Sequence, residues 1–262
     1  MTEGSGLPHA MPATKKPPMA LSQLANPSRF LDVAEPVLPW LAGATVLALA
    51  LGLNQAFAAP DDYQQGATVK IMFLHVPAAW LALFCWAVMS MAALGTLVWR
   101  HPLADVAGKT AAPIGAAFTF ICLVTGALWG RPMWGAYWVW DARLTSVLIL
   151  FLMYLGVIAL WRAVEDPSRA ARAAAILTLV GAINLPIIKF SVDWWNTLHQ
   201  PASVFRIGGP AIHSSILTPL IVMAIAFALL FITLHLAAMR NEILRRRIRT
   251  LRLMQAETAA ES

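Results

Sequence analysis

Six runs of apolar residues, at about 39 to 58, 73 to 99, 110 to 129, 144 to 161, 173 to 190 and 211 to 236, have the length needed to cross a lipid bilayer. Hydrocarbon offers no partner to backbone N–H and C=O groups, so such runs are confined to helices whose hydrogen bonds close within the segment. The charge content agrees: 12% of the 262 residues are charged, about half the share of a soluble domain. The pattern predicts an all-α membrane protein of six transmembrane helices and no soluble domain.

Six crossings return the chain to its starting side, and the distribution of Lys and Arg says which side that is. With the termini inside, 14 of the 19 basic residues are inner: Lys15, Lys16, Arg29, Arg100, Lys109, Arg162, Arg169, Arg172, Arg240, Arg245, Arg246, Arg247, Arg249 and Arg252. Lys70, Arg131, Arg143, Lys189 and Arg206 are outer. Both termini are therefore expected in the cytoplasm.

Residues 1–38 are polar, carry six prolines ahead of any apolar run, and lack the short apolar core of a secretory signal. They are expected to be a disordered inner tail, followed by a six-helix domain over 39–239 and a basic inner tail over 240–262. The arginines of that last segment suit a surface helix meeting anionic lipid headgroups, not nucleic acid. Gly108-Lys109-Thr110 ends like a phosphate loop, but Leu103 stands where that motif needs glycine, so the chain carries no nucleotide-hydrolysing site. Cys85 and Cys122 fall mid-helix without a Cys-x-x-Cys pair and read as buried apolar thiols.

Four of the 11 tryptophans, Trp129, Trp134, Trp138 and Trp140, fall within residues 129–141, in the outer connection between helices 3 and 4. Interfacial belts account for single tryptophans such as Trp40, Trp99 and Trp161, but not for this density. Gly130, Pro132 and Gly135 are expected to break the helix there, leaving an irregular aromatic platform. Tyr137 adds a further ring.

The predicted topology sorts the histidines. His9, His101 and His235 are inner, whereas His75 opens the second helix, His199 lies in the last outer loop and His213 begins the sixth helix. His213 reads as a helix-end residue. His75 and His199 share the tryptophan side, each near a proline, Pro77 and Pro201, that limits backbone motion. Trp80 and Trp86, inside the second helix, read as packing. A planar macrocycle with a central iron fits this inventory: aromatic rings stack on its face, imidazoles ligate its iron, and Lys70, Arg131 and Arg143 offer charge to its propionates. Asp141 is expected to hold the loop in shape through an arginine, an indole or a backbone N–H. Zinc lacks a third and fourth ligand, and a quinone leaves the histidines without a task.

The segment from Trp129 to Ser146, with His75-Val76-Pro77-Ala78-Ala79 and Trp194-Trp195-Asn196-Thr197-Leu198-His199-Gln200, resembles the tryptophan-rich haem-handling family, the WWD proteins of cytochrome c assembly. The likeness covers about 36 to 240. Larger members, the cytochrome c synthases, follow Trp-Asp with Pro and Glu; here Asp141 precedes Ala142-Arg143-Leu144-Thr145-Ser146, as in the smaller members of the system I pathway. Family members often carry Trp where Tyr137 stands.

The resemblance implies that His75 and His199 ligate haem iron and that Trp129, Trp134, Trp138, Trp140 and Asp141 form the haem-binding surface. It implies b-type haem held as transient cargo on the periplasmic face of a bacterial inner membrane. Its partners would be a periplasmic haem chaperone, which takes haem covalently on a histidine, a small single-helix subunit and an ATP-binding cassette pair. It leaves open whether the chain itself promotes that covalent attachment. A haem-exporting channel and a b-type electron-transfer cytochrome are the competing readings. The first finds little ionisable lining in the apolar runs, and the second ordinarily sets its histidines deep within helices.

Overall fold

Asn26 opens the first helix by accepting the Ser28 N–H on its side-chain oxygen at 2.9 Å, and Pro27 occupies the first helical position, where a missing N–H costs nothing. The structure, a computed structural model, describes residues 26–195, 197–200 and 203–261. Helix α1 then runs Pro27–Ala58. It begins well before the apolar run at 39 and carries Pro36 and Pro39 inside it. Up to residue 25 the expected disordered tail lies outside the described residues.

A 3-10 turn, Ala67–Ile71, leads directly into α2, Met72–Leu97. Then follow α3, Ala104–Trp134, and α4, Ala142–Ala163. The fifth crossing is two helices, α5 over Pro167–Gly181 and α6 over Asn184–Trp194. Pro186, in the first turn of α6, has no N–H to continue an unbroken ladder back to Ala182. Helix α7 spans Ser214–Glu261 without a break. Six helical segments are thus long and apolar enough to cross a membrane, and no strand occurs among the described residues. The protein is a multi-pass membrane protein.

Helix α2 is central, packed against α3, α5 and α7, while α1 lies along α7. The core holds Phe73, Trp86 and Met89 of α2, Leu150 and Tyr154 of α4, and Leu220 and Met223 of α7, all essentially inaccessible. Trp86 and Tyr154 meet edge to face at 4.7 Å. Their polar atoms are satisfied, Trp86 Nε1–H donating to Thr178 O at 3.0 Å and Tyr154 O–H to Ala82 O at 2.7 Å. Close approach needs glycine at two points: a Cβ at Gly181 would lie 2.4 Å from the Trp86 ring, and one at Gly115 2.4 Å from that of Tyr154. Between α1 and α7, the hydroxyls of Thr45 and Thr233 are 2.8 Å apart. Such polar contacts and small residues bind helices where lipid removes the hydrophobic drive.

One end of the bundle gathers the tryptophan segment, the start of α2 and the connection before α7. At the opposite, basic end, the buried carboxylate of Glu242 accepts from Lys109 Nζ at 2.7 Å and Arg246 Nε at 3.0 Å, with Arg245 Nη2 at 2.7 Å. Arg246 also donates to Asp105 at 2.8 Å, and Arg240 pairs with Glu35 at 3.5 Å. The arginine-rich segment expected as an inner-surface helix is helical and continues α7, and carboxylates tie it to α1 and α3.

Candidate functional site

Helix α3 does not stop where the glycines and proline of the tryptophan segment suggested. It runs through Gly130 and Pro132 to Trp134 and ends at Gly135, whose φ of 76° is the left-handed cap that glycine adopts most readily. Pro132 removes one internal bond, but Gly135 N–H still reaches Arg131 O at 3.0 Å, and the Arg131 guanidinium donates to Gly135 O. Trp129 and Trp134 are therefore helical, and only residues 135–141 form the irregular part.

The face of α3 turned toward α2 carries Cys122, Thr125, Gly126 and Trp129, at the i, i+3, i+4, i+7 spacing of one helical stripe. His75, in the first turn of α2, fits against it. Its Nδ1 lies 3.1 Å from Cys122 O and 3.1 Å from Thr125 Oγ1. The carbonyl can only accept, and the threonine hydrogen is committed to Ile121 O at 2.6 Å. Nδ1 must therefore carry the imidazole proton, which leaves Nε2 with a free lone pair. Trp129 meets the ring edge to face at 5.7 Å, and its own indole N–H is held by Gln65 Oε1 at 3.1 Å.

His199 reaches the same tautomer by a different route. Its Nδ1 faces Asp141 Oδ2 at 3.1 Å, and Trp134 meets its ring at 4.9 Å. Burial holds the imidazolium below its ordinary pKa range, outweighing the opposing pull of the Asp141 carboxylate, so the ring is neutral and Nε2 is again the free donor atom. The other oxygen of Asp141 accepts the Leu144 N–H at 2.7 Å and caps α4. Of the pairings expected for Asp141, the backbone one forms, and histidine takes the place foreseen for an arginine.

The remaining rings lie at the surface of this corner. Trp138 and Trp140 meet edge to face at 5.4 Å, and Trp140 and Tyr137 are exposed. Trp138 Nε1 is buried without a hydrogen-bond partner among the described residues. Arg131 lies over the Tyr137 ring at 5.5 Å. Lys70, in the turn before α2, sits 3.6 Å from Asp61. Arg143 reaches α6, donating from Nε to Ser191 Oγ at 3.1 Å and from Nη2 to Lys189 O at 3.3 Å. Pro201 and Asn196 lie outside the described residues.

His213 is a helix-end residue as expected, its Nδ1 accepting the Ser215 N–H at 3.3 Å beside α7. Cys85 and Cys122 are buried and unpaired. Sequence reasoning passed over Gln65, Thr125 and Gly126. The helical stripe from Cys122 to Trp129 was the available signal, since a threonine and a glycine on a histidine-facing stripe supply an acceptor and a space.

A family model described as heme exporter protein C matches residues 20–254, and therefore every candidate site residue. A protein of that name from Bradyrhizobium diazoefficiens is 77% identical over 244 residues, covering 93% of both chains. The chain belongs to the heme exporter protein C family. Members from Escherichia coli K12, at 50% identity over 86% of this chain and 91% of theirs, and from Paracoccus denitrificans, at 45% over 89% and 97%, extend the match to more distant sequences. Within the heme exporter protein C family, likeness over such spans takes in most of this chain.

Proposed function

We propose that this chain binds haem at the periplasmic surface of a bacterial inner membrane and delivers it to a periplasmic haem chaperone for cytochrome c maturation. The observation that carries this reading is the shared tautomer of His75 and His199. Each gives its Nδ1–H to an acceptor and keeps Nε2 unprotonated, the arrangement that orients imidazoles toward a metal. The name of these relatives, heme exporter protein C, agrees with the cargo.

The residues present fit such a cargo. Two neutral nitrogen donors suit the axial positions of haem iron, while Trp134, Trp138 and Trp140 supply apolar faces. The Trp138 N–H, without a partner among the described residues, supplies a donor. Haem brings the iron that accepts the lone pairs; the protein holds the rings, excludes water and neutralises the propionates with Lys70 and Arg143. A b-type haem bound in this way is cargo, and loading and release with the cassette pair and single-helix subunit complete the cycle.

Passage of haem through the bundle is less well supported, because Trp86, Tyr154, Leu150 and Phe73 fill its centre. The deciding experiment is chaperone loading by His75→Ala and His199→Ala in membranes, with and without imidazole. Both variants should insert and fail to load, and imidazole should restore part of the loading. Parental loading by either variant would remove that histidine from the site.

A further inference from the structure

The two imidazoles share a tautomer and differ in how they are held. His75 is carried by a helix, and its ring occupies a notch that Gly126 leaves open: a Cβ there would lie 3.0 Å from Cε1 and 3.5 Å from Nδ1. Its Nδ1–H is shared by two acceptors one turn apart on α3. Trp129, tied to Gln65, closes one edge. Turning this ring would break both bonds and push it into α3. His199 belongs to the connection between α6 and α7, where the described residues from Trp195 to Gln200 form no helix. Among the described residues its ring has one acceptor, Asp141, and one edge contact, Trp134. A side chain on a connecting segment with a single tether moves more readily than one locked between two helices.

We propose that His75 is the anchoring ligand, positioned by Thr125 and Gly126, and that His199 is the ligand that leaves the iron when haem is handed on. This rests on the haem reading above. In the exchange the bond from iron to His199 Nε2 breaks and the electron pair stays on the imidazole. A nitrogen or oxygen lone pair from the acceptor fills the vacated position. The iron keeps its oxidation state, and the Nδ1 proton stays between His199 and Asp141. Thr125 and Gly126 act through His75 as positioning residues; neither is a ligand.

The test uses the full chain in detergent, loaded with ferric haem and challenged with cyanide, which takes one axial position and gives a distinct optical and electron paramagnetic resonance signature. Asp141→Asn should speed cyanide entry about tenfold, the scale on which outer partners tune a ligand, and Thr125→Val should leave that rate unchanged. Haem loss to a scavenging apoprotein should report the anchor: faster in Thr125→Val, parental in Thr125→Ser, and at least about tenfold faster in His75→Gly than in His199→Gly. Equal acceleration of cyanide entry by Asp141→Asn and Thr125→Val overturns the proposal, as does equal haem loss from the two glycine variants. A parental spectrum without two imidazole ligands overturns the haem reading itself and the proposal with it.

Discussion

Asp141 bridges two elements with one carboxylate: Oδ2 faces Nδ1 of His199 at 3.1 Å while Oδ1 accepts the first-turn Leu144 N–H of α4 at 2.7 Å. The aim of the imidazole is thus tied to the start of a membrane-spanning helix. Asparagine can keep the cap but not the charge. Asp141→Asn should lower haem affinity about tenfold with unchanged thermal stability, whereas Asp141→Ala should lose both functions and about 1 kcal/mol of stability. Equal melting and equal affinity in the two variants would show that the carboxylate orients nothing.

The burial that disfavours charge on His199 sets a pH dependence in the haem-free protein. Its folded pKa lies below the ordinary value of about 6.5, so the unfolded chain binds more protons between the two. Its contribution to stability is complete above about pH 6.5 and falls as pH drops toward the folded value. NMR titration of His199 should give a midpoint below about 6.5, and a lower one in Asp141→Asn, where the favourable carboxylate is gone. A midpoint at or above the ordinary value would contradict the buried, neutral ring.

Trp134 touches His199, and Trp138 touches Trp140. Each ring should contribute on the order of 1 kcal/mol to haem retention beyond burial. Single alanine replacements should therefore weaken retention by modest factors, and the triple replacement should abolish it. Unchanged haem content in the triple variant would reduce the cluster to a membrane anchor.

Lys70 and Arg143 are separable from Asp141 by haem dimethyl ester, which has no free carboxylates. Lys70→Ala and Arg143→Ala should weaken binding of haem and bind the ester as the parent does. Lys70→Ala should show the larger effect, since two of the Arg143 nitrogens are committed to α6. Asp141→Asn should be defective with both ligands.

Away from the site, Gly181→Ala should cost about 1–3 kcal/mol through overpacking, because the new methyl group would meet the rigid Trp86 ring at 2.4 Å. A lowered melting midpoint with parental haem affinity per folded molecule is the expected result. An unchanged midpoint would show that α5 shifts freely against α2.

The six crossings were legible because apolar length is a property of the chain itself, and the structure brings Trp134 against His199. The extent of α3 was not. Pro132 and Gly130 count against a helix locally, but one absent N–H near a helix end leaves the remaining bonds intact, and the stop falls at Gly135. Hydropathy also missed the start of α1, since residues 27–38 are helical yet mixed in polarity. The turning of Arg143 toward Ser191, and the reach of Gln65 to Trp129, depend on packing between residues 48 and 64 positions apart. Composition carries no trace of such pairings.

Helix α7 has 48 residues, and at about 1.5 Å per residue its axis extends some 70 Å, more than twice the roughly 30 Å of hydrocarbon. Its first turn adjoins His213, fourteen positions beyond His199, and its distant half is pinned by Glu242, Arg246 and Asp105. A hydrogen-bonded rod resists compression and torsion far better than a loop does. Rotation or thrust applied at its arginine-rich end therefore reaches the first turn beside His213 as motion of a shaft rather than by any relay of side chains.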